Sequence, residues 1–166
     1  MEATFYLAAA VAVASTLMVI VERTAVHALL YLIVSLLAVA VVFYVLGAPF
    51  VAALEVIVYA GAIMVLFVFV LMMLNLSKAA AAHERRWLRP GMWIGPGVLA
   101  ALLLAELIYM LASGSAGGMG AAVVEPKAVG IVLLGPYLLG VELASMLLLA
   151  GLVGAYHLGW RDQQDG

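Results

Sequence analysis

Cysteine is absent from the chain. Its absence excludes disulfides, thiolate metal sites, iron–sulfur ligation and cysteine nucleophiles built from this chain's own residues. Charge is scarce too: only 10% of the 166 residues are charged, seven Lys and Arg against nine Asp and Glu. The basic residues do not cluster with aromatics as nucleic-acid recognition requires, so no nucleic-acid partner is expected. Three histidines, His27, His83 and His157, are scattered without metal-ligand spacing, and no metal site is expected. Neither a glycine-rich phosphate loop nor a dinucleotide fingerprint is present.

Apolar residues fill the space left by charge, at 69% of the chain and a mean hydropathy of +1.28. Such a composition is that of an integral membrane protein in a lipid bilayer, outside the range of soluble domains. The apolar runs predict an all-α integral membrane bundle of five transmembrane helices. The spans cover about residues 5–21, 26–46, 50–76, 92–112 and 136–157 of a single membrane domain, 1–166. Residues 5–21 resemble a signal peptide in composition but lack a positive n-region, and Glu2 is acidic, so an uncleaved first span is expected. Glu22-Arg23-Thr24 and Gly47-Ala48-Pro49 are short links that make the first three spans antiparallel neighbours. Residues 128–134 are expected as a short helix before the last span.

The third run, FVAALEVIVYAGAIMVLFVFVLMMLNL at residues 50–76, exceeds the roughly 20 residues that cross a bilayer. It carries one carboxylate, Glu55, with Tyr59 one helical turn on, and at 100° per residue both lie on the same face. A charge in hydrocarbon is costly, about 2.5–3.5 kcal/mol on insertion scales, so an intramembrane Glu is a functional candidate, here for proton handling or gating. The alternative is a carboxyl that glues neighbouring helices. Excess length and the small Ala60-Gly61-Ala62 stretch suit a π-bulge or hinge, or else a tilted span that a neighbour packs against closely. The Met and Phe residues that follow read as packing rather than a cofactor box.

Two further acids, Glu106 and Glu142, fall at a similar depth to Glu55, each roughly 8–9 Å from one end of its span at 1.5 Å per residue. No basic residue of this chain shares that layer, so any ionic partner comes from another chain. Ser145, three residues past Glu142, could satisfy that carboxyl within the helix, and Tyr109 could do so for Glu106. Glu142 is balanced between proton path and structure, whereas a structural role is favoured for Glu106. His27 and His157 lie near a span boundary, where an amphipathic ring serves as an anchor. Arg23, Lys78, Arg85, Arg86, Arg89 and Arg161 share one side of the five-span topology and only Lys127 lies on the other. Positive-inside then places the N-terminus outside and the C-terminus in the cytoplasm.

Residues 27–76, HALLYLIVSLLAVAVVFYVLGAPFVAALEVIVYAGAIMVLFVFVLMMLNL, and residues 128–157, AVGIVLLGPYLLGVELASMLLLAGLVGAYH, closely resemble the J-subunit family of bacterial respiratory complex I. RRWLRPGMWIGP is similar to the family's connection between its third and fourth spans. The resemblance implies a membrane-arm subunit of the proton-pumping NADH:quinone oxidoreductase in the bacterial inner membrane. By the same resemblance this chain binds no cofactor, while the whole complex uses NADH, FMN, Fe–S clusters and quinone, and the neighbours are the H, A, K and N subunits. It further implies a third span that alternates between a straight α-helix and one with a π-bulge, gating a hydrated path. Glu55 and Tyr59 are the proton-path or gating residues so expected, and Gly61, Met64, Val65 and Phe67 line the deformable segment; Glu142 joins the proton-path candidates on its own residue argument above. Glu106 lies outside the matching blocks.

Two other readings stay open on the residues alone. A small stand-alone proton-coupled transporter would need internal repeats or a second set of interrupted helices, and no inverted repeat is visible. A purely structural assembly subunit would tolerate Glu55→Gln with coupling intact.

Overall fold

Backbone amides in hydrocarbon have no water to bond, so each apolar run folds as a helix that satisfies its own N–H and C=O groups. A computed structural model describes residues 2–22, 24–74, 93–112 and 123–161, and they contain no strand. Lys78, His83, Arg85, Arg86, Trp87, Arg89 and Pro90, Arg23, most of the glycine-rich loop and the tail from 162 lie outside the described residues. Two units are distinguished, Met1–Val124 and Glu125–Gly166.

The first unit holds α1 (Glu2–Val21), α2 (Ala25–Val45), a third span and α5 (Ile94–Ala112). The third span is made of α3 (Pro49–Leu54), a π-helical segment (Glu55–Ile63) and α4 (Met64–Leu74). Four helical stretches are long and apolar enough to cross a membrane: Glu2–Val21, Ala25–Val45, Pro49–Leu71 and Leu138–Gly159. Ile94–Met110 is a shorter apolar helix. The whole of α5 has 19 residues and is about 28 Å long, close to the hydrocarbon thickness of about 30 Å. The chain is therefore an all-α membrane bundle of about five helices.

α1 and α2 share the most extensive interface. Thr4, Ala8, Val11 and Ser15 form its buried stripe on α1, at three- and four-residue spacing. Ala8 and Ala38 are fully buried, and such small side chains let the backbones approach, as membrane helices require. Val11, Val34, Ala38 and Leu103 make a common core of α1, α2 and α5. Beside it, Ser35 Oγ lies 2.8 Å from Thr16 Oγ1. Both hydroxyls also lie against the Ala12 carbonyl, Thr16 at 2.8 Å and Ser35 at 3.2 Å.

The end of α2 shows why Gly47 is needed. The Gly47 amide donates to Tyr44 O and the Ala48 amide to Phe43 O, both at 3.0 Å, which closes the helix in a Schellman motif. That motif demands a left-handed residue, and Gly47 has φ 85°. Pro49 then starts α3, where a missing N–H leaves no bond unmade. The Gly47 carbonyl accepts from the Val124 amide at 2.9 Å, tying the α2–α3 turn to the far end of the unit's chain.

In the second unit α6 (Pro126–Leu133) and α7 (Leu138–Arg161) are separated by a bend at residues 134–137. Pro136 supplies no donor. A Cβ on Gly135 would lie 2.6 Å from the Ile131 carbonyl oxygen, so only glycine fits the bend. The Tyr137 amide reaches back to Val132 O at 3.3 Å across the break.

Candidate functional site

The third span begins as an ordinary α-helix: the Glu55 amide faces Ala52 O and Val51 O, the latter four residues back. Over Glu55–Ile63 the bonding widens to a π-helix of nine residues, in which carbonyls accept from amides five residues on. At its end the Met64 amide is shared between Tyr59 O, five residues back, and Gly61 O. α-Helical bonding resumes from there.

Gly61 sits where this wide turn is crowded. A Cβ there would lie 3.1 Å from the Val56 carbonyl oxygen, the acceptor five residues earlier. Glycine removes that contact, and the small Ala60 and Ala62 on either side keep this part of the helix thin. The segment therefore holds a conformation that the same backbone could exchange for α-helix by moving each bond one carbonyl along. Such a shift turns everything after Ile63 relative to everything before Glu55.

Both polar groups of the third span ride on this segment. Glu55 opens it, half-buried, and Tyr59 stands at its middle, 51% exposed. Four residues apart in a turn longer than four, they remain on one side of the helix. Neither head group has a hydrogen-bond partner among the described residues. Gly61 lies within the π segment; Met64, Val65 and Phe67 lie in the α-helical turn directly after it, with Met64 buried and the other two exposed. One flank of the segment borders an apolar cavity of about 610 Å³, lined by Val56 and Ala52 of the third span, Leu37 and Tyr44 of α2, and Leu103 and Leu107 of α5.

The other acids differ from expectation. Ser145 Oγ donates to the backbone carbonyl of Glu142 at 2.7 Å rather than to its carboxylate, because an i−3 carbonyl lies within a serine's short reach in a helix. Glu142 is exposed on α7, in the second unit. Both carboxyl oxygens of Glu106 are buried without a hydrogen-bond partner, so Tyr109 does not satisfy them. Among the described residues no group of three His, Asp or Glu could hold a metal ion.

A further polar group was not legible as a site. His27 is buried, with 3% exposure, rather than resting as an anchor at the interface. Its ring packs edge-on against Trp93, with centroids 6.3 Å apart. Its Nδ1 lies 2.7 Å from Thr24 Oγ1, and that hydroxyl lies 3.1 Å from Glu22 Oε1. The only sequence signal is the Glu-x-Thr-x-x-His spacing, which is too common to stand out.

A family model described as NADH-ubiquinone/plastoquinone oxidoreductase chain 6 matches residues 15–158. The NADH-quinone oxidoreductase subunit J of Pseudomonas aeruginosa is 64% identical over 166 residues, 99% of this chain and 100% of the relative. Subunit J of Escherichia coli K12 is 55% identical over 166 residues, all of this chain and 90% of the relative. Subunit J of Buchnera aphidicola from Schizaphis graminum is 48% identical over 159 residues, 96% of this chain and 98% of the relative.

Proposed function

The chain belongs to the NADH-ubiquinone/plastoquinone oxidoreductase chain 6 family, a multi-pass membrane subunit of complex I, and on that footing we propose that its third span couples quinone reduction to proton movement. The complex it belongs to uses NADH, FMN, Fe–S clusters and quinone, and its partners are other complex I subunits. With no cysteine and no phosphate-binding loop, this chain's own residues do not fit an Fe–S cluster or a nucleotide cofactor. It performs no bond chemistry and has no catalytic centre of its own.

The observation that carries this reading is the nine-residue π segment with Glu55 at its start and Tyr59 at its middle. A change between π and α bonding rotates the Met64–Leu74 helix and moves Met64, Val65 and Phe67 against whatever packs on them. It also changes the setting of Glu55 and Tyr59. A hydrated path that includes the carboxyl and the phenol is open in one state and closed in the other, and the apolar cavity at Val56 supplies room for the exchange. Glu142, on the last span, is a further proton-path residue in this reading. The single membrane domain sits in the bacterial inner membrane with its N-terminus periplasmic and its C-terminus cytoplasmic, beside the H, A, K and N subunits.

Tyr59→Phe tests the reading, because it keeps the ring and removes only the hydroxyl. Proton pumping per electron is expected to fall while the assembled complex is retained. Wild-type stoichiometry and turnover in a fully assembled variant would remove Tyr59 from the path.

A further inference from the structure

Thr24 is the N-cap residue of α2, with φ −102° and ψ 123°, yet its side chain makes no capping hydrogen bond. A threonine at this position ordinarily accepts from an amide in the first turn. Here the hydroxyl is committed elsewhere, donating to Glu22 Oε1 at 3.1 Å and lying 2.7 Å from His27 Nδ1. The Thr24 amide also points to Glu22 Oε1, at 3.4 Å. A hydroxyl has one proton. With that proton on Glu22, the contact with His27 requires Nδ1–H to donate to the Thr24 oxygen. The tautomer is thereby set, and Nε2 carries the lone pair. Nε2 is buried and has no hydrogen-bond partner.

We infer that Glu22, Thr24 and His27 form a proton relay between the half-exposed Glu22 carboxylate and the buried Nε2 of His27. A proton added at Nε2 is matched by Nδ1–H passing to the Thr24 oxygen, while the Thr24 hydroxyl proton passes to Glu22. The ring ends neutral with its proton on Nε2, Thr24 ends with its hydroxyl reversed, and Glu22 ends protonated. Reversal of these steps carries a proton inward. Three protons each shift by one bond, and the net transfer is one proton from the Nε2 side to Glu22.

The surroundings suit such a relay. α1 carries its titratable Glu2 and Tyr6 at the end remote from Glu22. Directly before α5 the residue against His27 is Trp93, and Glu106 and Tyr109 lie roughly 17 Å or more along that helix from its start. The third span's Glu55 and Tyr59 are at its other end, beside the α2–α3 turn. Tyr31, one turn beyond His27 on α2, has its hydroxyl packed over Gly95. Among the described residues, Glu22 is thus the charged group that faces His27.

The inference rests on the chain serving a proton-translocating complex, but not on the third-span path. Its test is NADH-driven proton pumping per electron in membrane vesicles, with the amount of assembled complex measured on native gels. Thr24→Ser keeps the hydroxyl and is expected to pump as wild type. Thr24→Val removes it, and pumping is expected to fall by about a hundredfold, the low end of what a positioned proton-transfer group contributes. Thr24→Asn separates relay from scaffold: the amide can donate to Glu22 and accept from Nδ1–H, but it does not pass a proton on. A relay predicts that Asn fails like Val, whereas wild-type pumping in the Asn variant would overturn it. His27→Gln is expected to lose pumping as well; should it fail to assemble, the Thr24 series decides. Loss in Thr24→Asn with normal stoichiometry in Tyr59→Phe would keep the relay and discard the third-span path, and the reverse pattern would do the opposite.

Discussion

The hydroxyl of Tyr31 occupies the place where a side chain on Gly95 would begin. Tyr31 belongs to α2, Gly95 to the first turn of α5, and with the neighbouring His27–Trp93 pair they form the joint between these helices. The joint relies on Gly95 for its lack of a side chain, not for its conformational freedom.

Gly95→Ala should therefore force Tyr31 aside. Overpacking of this kind costs about 1–3 kcal/mol, and the expected outcome is a lower thermal midpoint and a lower yield of assembled complex. Tyr31→Phe in the same chain removes the nearest obstructing atom and is expected to restore part of the loss. A double variant no more stable than Gly95→Ala would show that the hydroxyl is not the obstacle.

Gly61→Ala addresses the π segment itself. An alanine Cβ would lie 3.1 Å from the Val56 carbonyl oxygen in the π form, tighter than an ordinary contact. That crowding disfavours π bonding and shifts the balance toward α-helix. Imaging of the intact variant complex should show fewer π-bonded particles, with reduced turnover. Gly61→Val, β-branched and bulkier, should be more severe. Wild-type turnover with the π segment unchanged would count against a hinge at this position.

Ser35→Ala removes one hydroxyl from the α1–α2 interface but leaves Thr16 its bond to the Ala12 carbonyl. Interhelical hydrogen bonds of this type average about 0.6 kcal/mol and rarely exceed 2, so a shift of only a few degrees in thermal midpoint is expected. Thr16→Val should behave alike. Because the two hydroxyls share a bond, the double variant should lose less than the sum of the single losses, and strict additivity would rule out their coupling.

Much of this protein could be read from hydropathy and a few polar letters. The apolar runs required helices because only a helix satisfies its backbone within one segment in lipid, and Gly47-Ala48-Pro49 marked a tight stop. Glu55, Tyr59 and Gly61 stood out because the third run holds one carboxylate, one phenol and one glycine. The extent of the π segment was not legible. π and α bonding both satisfy the backbone with the same residues, so hydropathy does not separate them, and Met64, Val65 and Phe67 prove to follow the segment rather than lie within it. The orientation of Ser145 was ambiguous for a similar reason: its hydroxyl can reach either the carboxylate or the backbone carbonyl of Glu142, and only the helix geometry selects the carbonyl.

By itself, then, the sequence determined membrane class, helix content and family, since each follows from composition and local order along the chain. Tertiary structure decided which polar groups are buried. His27 looked like an interfacial ring, and its burial depends on Trp93, which the packing of α5 on α2 brings from a distant part of the chain. Glu106 and Tyr109 are local neighbours, yet the carboxyl is enclosed without the phenol as partner. Burial depends on what packs against a residue, and no pattern along a single helix specifies the helix on the other side.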